Sequence, residues 1–245
     1  MTYVDNKKCI GCGICLPYCP LEAISLRDGK AWVDPDLCAD CWVCLRKKVC
    51  PKEALQAKEL TDFYQVFRHV LCDPVETFAD TGVTGRGTEE CKTNDVTGRY
   101  RRGEVGLAVD MGRPGLGCTL RDVEKVAMAL AAAGAELAGP EETPLAQLMT
   151  DLTTGKLMEE VLQEPNLTFL SIIIEAKCRE ERLRDVLKAL QKVEQEVDTV
   201  FSLGLIIRPL PDGTAPVLKV LDELGIAQPV RGKVNVGLGR PIAEA

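Results

Sequence analysis

The chain has 245 residues, 46% hydrophobic and 27% charged, which is enough apolar content for a core and enough length for two domains. Its 30 basic and 37 acidic residues leave a formal net charge of −7, which argues against a nucleic-acid or anionic-membrane binder. No apolar run approaches the roughly 18 residues that cross a bilayer, and the start MTYVDNKKC has no apolar signal core, so a cytoplasmic setting is expected.

Twelve cysteines in a reducing compartment point to metal ligands or redox groups, and eight of them lie in the first 50 residues. Cys9, Cys12, Cys15 and Cys19 read C-x2-C-x2-C-x3-C before Pro20. Cys38, Cys41, Cys44 and Cys50 read C-x2-C-x2-C-x5-C before Pro51. CPLEAI at 19–24 returns as CPKEAL at 50–55, so the segment is an internal duplication. A [4Fe-4S] cube takes four thiolates at its corners. A cysteine at every third residue makes a tight loop that wraps such a cube and turns backbone N–H groups toward its sulfurs. Gly11 and Gly13 suit a loop whose backbone approaches the cluster closely. The second loop is bulkier, with Asp40, Trp42 and Val43, and carries Arg46, Lys47 and Lys48 before its last cysteine, so the two sites are expected to differ. A zinc site needs only four cysteines in two pairs. A disulfide scaffold belongs to secreted and usually shorter chains.

On these motifs residues 1–58 resemble the bacterial-type two-cluster ferredoxins. The resemblance implies a pseudo-twofold fold of two short β-ribbons and two short helices. In such proteins the fourth cysteine of each motif serves the other cluster. That assigns Cys9, Cys12, Cys15 and Cys50 to one [4Fe-4S] cluster and Cys38, Cys41, Cys44 and Cys19 to a second. It also implies a redox partner protein.

Residues 59–103 read as a linker and a polar loop. DFYQVFRHVL at 62–71 is a strand or a short helix, and its period does not decide between them. His69, the sole histidine, reads as a structural residue rather than a ligand or base. The stretch 84–103, TGRGTEECKTNDVTGRYRRG, is nearly devoid of aliphatics and reads as a long loop. Its Arg86, Arg99, Arg101 and Arg102 suit anion binding as well as a solvated surface.

Residues 104–245 alternate in period and are expected to form an α+β layered domain. A strand is expected at 104–112 and a helix at 119–137, with Thr119 as N-cap. Helical pieces follow at 144–152 and 156–163, then a strand at 167–177. A charged amphipathic helix is expected at 181–197, a strand at 198–208, a helix at 216–226 stopped by Gly225, and a last strand at 233–239. The block 167–239 reads β-α-β-α-β, part of a ferredoxin-like split sheet with helices on one face. EVGLAVDMGRP (104–114) and KVNVGLGRP (233–241) end alike, which would bring Arg113 and Arg240 to one rim. An open sheet edge leaves homo-oligomers allowed. Of the remaining cysteines, Cys118 stands before a helix N-terminus and is the best placed to be reactive or ligating. Cys178 reads as a buried small hydrophobe. The roles of Cys72 and Cys91 stay open.

The run GRGTEECKTNDVTGRYRRGEVGLAVDMGRPGLG at 85–117, with KVNVGLGRP at 233–241, resembles the 6-hydroxynicotinate reductase-like iron–sulfur proteins over about 84–243. This resemblance implies ferredoxin-linked reduction of a pyridone ring and assigns no catalytic residue. Three functions follow. The first is a low-potential electron-transfer protein or subunit. The second is a reductase of a small anionic substrate, a carboxylated N-heteroaromatic such as 6-hydroxynicotinate, held by Arg113, Arg240 and the Arg-rich loop beside Cys118. The third is a redox- or ligand-sensing regulator. The sequence has no nucleotide fingerprint after a strand and no second base, while flavin stays open. Electron transfer is the preferred reading, and whether the chain is itself an enzyme is undecided.

Overall fold

Prolines, glycines and closely spaced cysteines limit the first 58 residues to single turns and two-stranded ribbons. The structure, a computed structural model, describes residues 1–76, 99–112 and 116–227. Its elements begin with β1 (Thr2–Val4), a 3-10 turn at Leu16–Tyr18, β2 (Ile24–Arg27), β3 (Lys30–Val33), α1 (Val43–Arg46) and β4 (Leu55–Ala57). β2 and β3 form a hairpin closed by Asp28 and Gly29, both left-handed (φ 49° and 70°), the conformation a tight Asp-Gly turn requires. β1 pairs antiparallel with β4, Thr2 opposite Ala57. The duplication is visible in the backbone. Glu22 and Glu53 both take positive φ (53° and 50°), and each precedes a buried alanine, Ala23 or Ala54.

The segment whose period was ambiguous is a helix, α2 (Phe63–Cys72). Asp62 caps it, its side chain accepting the Gln65 N–H at 2.8 Å. Tyr64, Phe67, Leu71 and Cys72 share its buried face.

The rest of the chain runs β5 (Glu104–Met111), β6 (Cys118–Thr119), α3 (Leu120–Ala132), β7 (Glu136–Leu137), β8 (Met149–Asp151), β9 (Lys156–Leu157), α4 (Glu159–Leu162), β10 (Thr168–Phe169), β11 (Ile172–Arg179), α5 (Leu183–Val193), β12 (Phe201–Ile207) and α6 (Lys219–Glu223). Thr119 caps α3 as expected, accepting the Asp122 N–H. Four strands form one antiparallel sheet in the order β12-β5-β11-β7. With α3 and α5 as the two crossovers, this is the β-α-β-β-α-β split sheet. It spans 104–207 rather than beginning at 167, because β5 is a central strand paired along its length with β11, Ile172 opposite Met111. α3 and α5 bury Val123, Val126, Leu130, Val186, Leu187 and Leu190. The final strand expected at 233–239 lies outside the described residues.

Three segments differ from expectation. The helix expected at 119–137 ends at Ala132, because Gly134, at φ 90°, turns the chain and Glu136–Leu137 joins the sheet as β7. Residues 144–152 and 156–163 are not two helices. A 3-10 turn at Pro144–Leu148 leads into the β8–β9 hairpin, and only Glu159–Leu162 is helical. The reason is the Asp151-Leu-Thr-Thr-Gly155 turn, where the Asp151 side chain accepts from Thr153 and Thr154 and Gly155 takes φ 75°. The strand expected at 167–177 is divided, because β10 leaves the sheet to pair with β6, Phe169 opposite Cys118.

Apolar side chains gather in two cores. A small one holds Ile24, Val33, Ala54 and Leu55 around Cys9 and Cys15. The large one belongs to the split sheet and its helices, and Ala39, Cys41 and Leu21 pack into it. The second half of the cysteine duplication is therefore wedged against the large core. Among the described residues no helix is long and apolar enough to cross a membrane.

Candidate metal centre

Two cavities open among the N-terminal cysteines. Cys9, Cys12, Cys15 and Cys50 line the first, with Ile10, Gly13 and Ile14. Cys19, Cys38, Cys41 and Cys44 line the second, with Leu21 and Trp42. The fourth cysteine of each motif thus crosses to the cavity of the other. It does so because the turn after it folds back: the Ala23 N–H lies 3.2 Å from Cys19 Sγ and the Ala54 N–H 3.3 Å from Cys50 Sγ. The Ala31 N–H reaches Cys9 Sγ at 3.4 Å.

Left-handed backbone shapes both loops. Gly11 and Gly13 have φ of 71° and 73°, and at the matching places of the second loop Asp40 and Trp42 both have φ 53°. A Cβ on Gly11 would sit 2.0 Å from the Gly29 carbonyl oxygen, whereas one on Gly13 would meet only Leu26, at 3.8 Å. Gly11→Ala is therefore expected to empty the first site while Gly13→Ala, strained only in its backbone, keeps most of its iron. Iron per chain on anaerobic protein measures both, and equal loading of the two variants would contradict it.

Four of these thiols, Cys15, Cys38, Cys41 and Cys44, are poor thiolates by themselves. Burial, then the neighbouring Cys41, Cys38 and Cys19, push Cys44 up to about 12. Burial and then Asp40 push Cys38 up to about 11. Burial likewise raises Cys41 and Cys15, with Cys50, Cys12 and Cys9 adding to the latter. Cys50 is shifted the other way. Burial opposes its ionisation, but backbone N–H groups of Ala54, Lys52, Leu55 and Glu53 hold it below the ordinary thiol range. Four crowded thiolates need a cationic group among them, and an iron–sulfur core supplies that charge, so the donor set fits one. Among the described residues no group of three or more His, Cys, Asp or Glu closes around a single ion. A cube, in which each thiolate holds a different iron, does not require one.

The two sites have unlike surroundings. The first is at the surface: Cys12 is exposed, and Ile10 and Ile14 are 59% and 49% exposed beside it. The second is enclosed by a polar network. Asp40, fully buried, accepts the Thr2 N–H at 3.0 Å and pairs with the Arg68 guanidinium at 2.5 Å and the N-terminal ammonium at 3.4 Å. Arg68 also donates to the Cys38 carbonyl at 2.8 Å. His69 Nδ1 lies 2.7 Å from the Asp40 carbonyl oxygen, and its ring is 3.9 Å from that of Trp42. Asp73 pairs with Arg46. The loop is tied to the C-terminal part by Asn166, which donates to the Cys38 carbonyl at 3.1 Å, and by Thr168, which donates to the Asp36 carbonyl at 2.7 Å.

Other residues singled out in the sequence fall elsewhere. Arg99 is largely buried and pairs with Glu142 and Glu175, each at 3.1 Å, while Arg101 and Arg102 are exposed. Cys118 is buried, and burial, with Cys72 adding, raises its thiol far above the ordinary range. Burial thus favours Cys118 as a small buried side chain over a reactive or ligating thiol beside a helix N-terminus. Burial also pushes Cys72 up to about 12 and Cys178 up to about 11, and both sit as small buried side chains. Arg86, Cys91, Arg113 and Arg240, and with them the shared Gly-Arg-Pro rim, lie outside the described residues. Asp40 and Arg68 were not marked as a pair in the sequence. The available signal was Asp40 standing where the first repeat has Gly11.

Residues 2–25 match the 4Fe-4S binding domain family. Ferredoxin Fdx2 of Sorangium cellulosum is 50% identical over 108 residues, covering 41% of this chain and 98% of that protein. Ferredoxin 7Fe of Hydrogenibacillus schlegelii is 37% identical over 57 residues, covering 22% of this chain and 70% of that one. Pyruvate synthase subunit PorD of Thermotoga maritima is 38% identical over 61 residues, 24% of this chain and 60% of that one. No solved structure matches.

Proposed function

The chain belongs to the 4Fe-4S ferredoxins through its N-terminal segment, and on that basis we propose that it is a two-cluster, low-potential electron carrier, a protein or a subunit that exchanges single electrons with a partner oxidoreductase. Cys9, Cys12, Cys15 and Cys50 hold one cluster and Cys19, Cys38, Cys41 and Cys44 the other. The observation that carries this is the division of eight thiols, four and four, between two cavities. A bound cluster supplies one-electron exchange at low potential.

The chain's own residues do the rest. Backbone N–H groups of Ala23, Ala31 and Ala54 point at ligand sulfurs and favour the more negative, reduced state. Ile10 and Ile14 keep water from the first site and offer a partner an apolar contact at the surface. The second site faces the C-terminal part. Residues 1–58 then form the cluster-binding unit, 59–103 the connection, and 104–245 the α+β unit that docks or serves a partner. A relative that is a pyruvate synthase subunit supports the subunit form.

Iron and acid-labile sulfide on anaerobically purified protein test this. About eight of each per chain, with spin-coupled signals after dithionite reduction, is the expected result. About four of each would overturn the two-cluster reading.

A further inference from the structure

We propose that the Trp42 indole N–H donates a hydrogen bond to a sulfur of the cluster held by Cys19, Cys38, Cys41 and Cys44, and that this bond raises the cluster's reduction potential. The inference rests on the two-cluster reading and adds to it a residue that sets one potential apart from the other.

Trp42 lines the second cavity. Its Nε1 is buried and has no hydrogen-bond partner among the described residues. An indole N–H is a donor only, and a buried donor without an acceptor is rare because its desolvation is uncompensated. The neighbouring aromatic does not supply the acceptor: His69 lies against the indole ring and directs Nδ1 to the Asp40 carbonyl. The acceptors missing from the protein are those a cluster brings, its sulfides and the thiolates bound to iron.

The backbone points the same way. Trp42 has φ 53°, a conformation that glycine adopts freely and a tryptophan does not, and the matching residue of the first loop is Gly13. A bulky side chain kept in a strained position beside a site is a mark of use. The first site has no counterpart, since Gly13 has no side chain. An N–H···S bond stabilises the reduced, more negative cluster more than the oxidised one, so its potential rises.

Trp42→Phe keeps the ring over His69 and removes the N–H. Its iron and sulfide should equal those of the unaltered protein. One of two midpoint potentials should fall, with about a tenfold loss in the reduction constant, or 59 mV for one electron, and the other should stay. Full loading with neither potential moved would overturn the proposal. Should the variant fail to load its second site, the unaltered protein decides. With 15N-indole-labelled tryptophan and dithionite reduction, pulsed EPR should show a 15N coupling. That coupling should survive Trp32→Phe, because Trp32 lines neither cavity and packs under Arg27. A labelled, loaded protein with no 15N coupling would overturn the assignment. About four irons in the unaltered protein would instead overturn the underlying two-cluster reading, a separate failure.

Discussion

Arg68→Met is expected to destabilise the loaded protein by up to about 3–5 kcal/mol, because it leaves the buried Asp40 carboxylate to the N-terminal ammonium, 3.4 Å away. Asp40 and Arg68 side chains are 0% and 5% exposed and 2.5 Å apart, so water does not replace the lost guanidinium. The same arginine holds the Cys38 carbonyl, so the loop that shapes the second site loses two restraints at once. For a chain of this size the anaerobic melting midpoint should fall by roughly 6–20 °C. Asp40→Asn in the same chain should recover much of the loss, since it removes the under-compensated buried charge and asparagine tolerates left-handed backbone. Calorimetry of the two single variants and the double variant gives the coupling directly. A single Arg68 variant that melts with the unaltered protein would show that the pair contributes nothing net.

Cys19→Ala is expected to empty the second site and leave the first loaded, although Cys19 belongs to the first motif. Cys50→Ala should do the reverse. Iron should fall from about eight to about four per chain in each, and spin coupling should vanish. The two remaining spectra should differ, because one cluster is surface-exposed beside Ile10 and Ile14 and the other is enclosed by Asp40, Arg68 and Trp42. Cys19→Ala should then match Cys41→Ala, and Cys50→Ala should match Cys12→Ala. If Cys19→Ala matched Cys12→Ala, the cysteines would serve their own motifs and the crossed assignment would fall.

Local chemistry made part of this protein legible in its residues. The Thr119 cap and the Gly225 stop, which has φ 68°, depend on neighbours a few positions away. Residues 62–71 were ambiguous because Asp62 is a cap only once the chain turns there, and the buried face of Tyr64, Phe67 and Leu71 exists only against its partners. Cys118 is a similar case. A helix N-terminus is visible two residues away, but burial, which includes pairing with β10, dominates its thiol, and Cys72 adds to it. The place of the strand at 104–111 in the middle of the split sheet, between β11 and β12, depends on pairings across most of the domain.

The spacing of eight cysteines and the repeated CPxEA segments were sufficient by themselves to mark the N-terminal segment as a ferredoxin, because ligand geometry is encoded over a few residues. That the two sites differ was already expected from the bulkier second loop, and the tertiary structure decided how they differ. Only in three dimensions does Arg68 reach Asp40, 28 residues away, and the second loop pack into the large core while the first stays at the surface. Burial and charge pairing are sums over contacts distant in the chain, and those sums set the surroundings of each site.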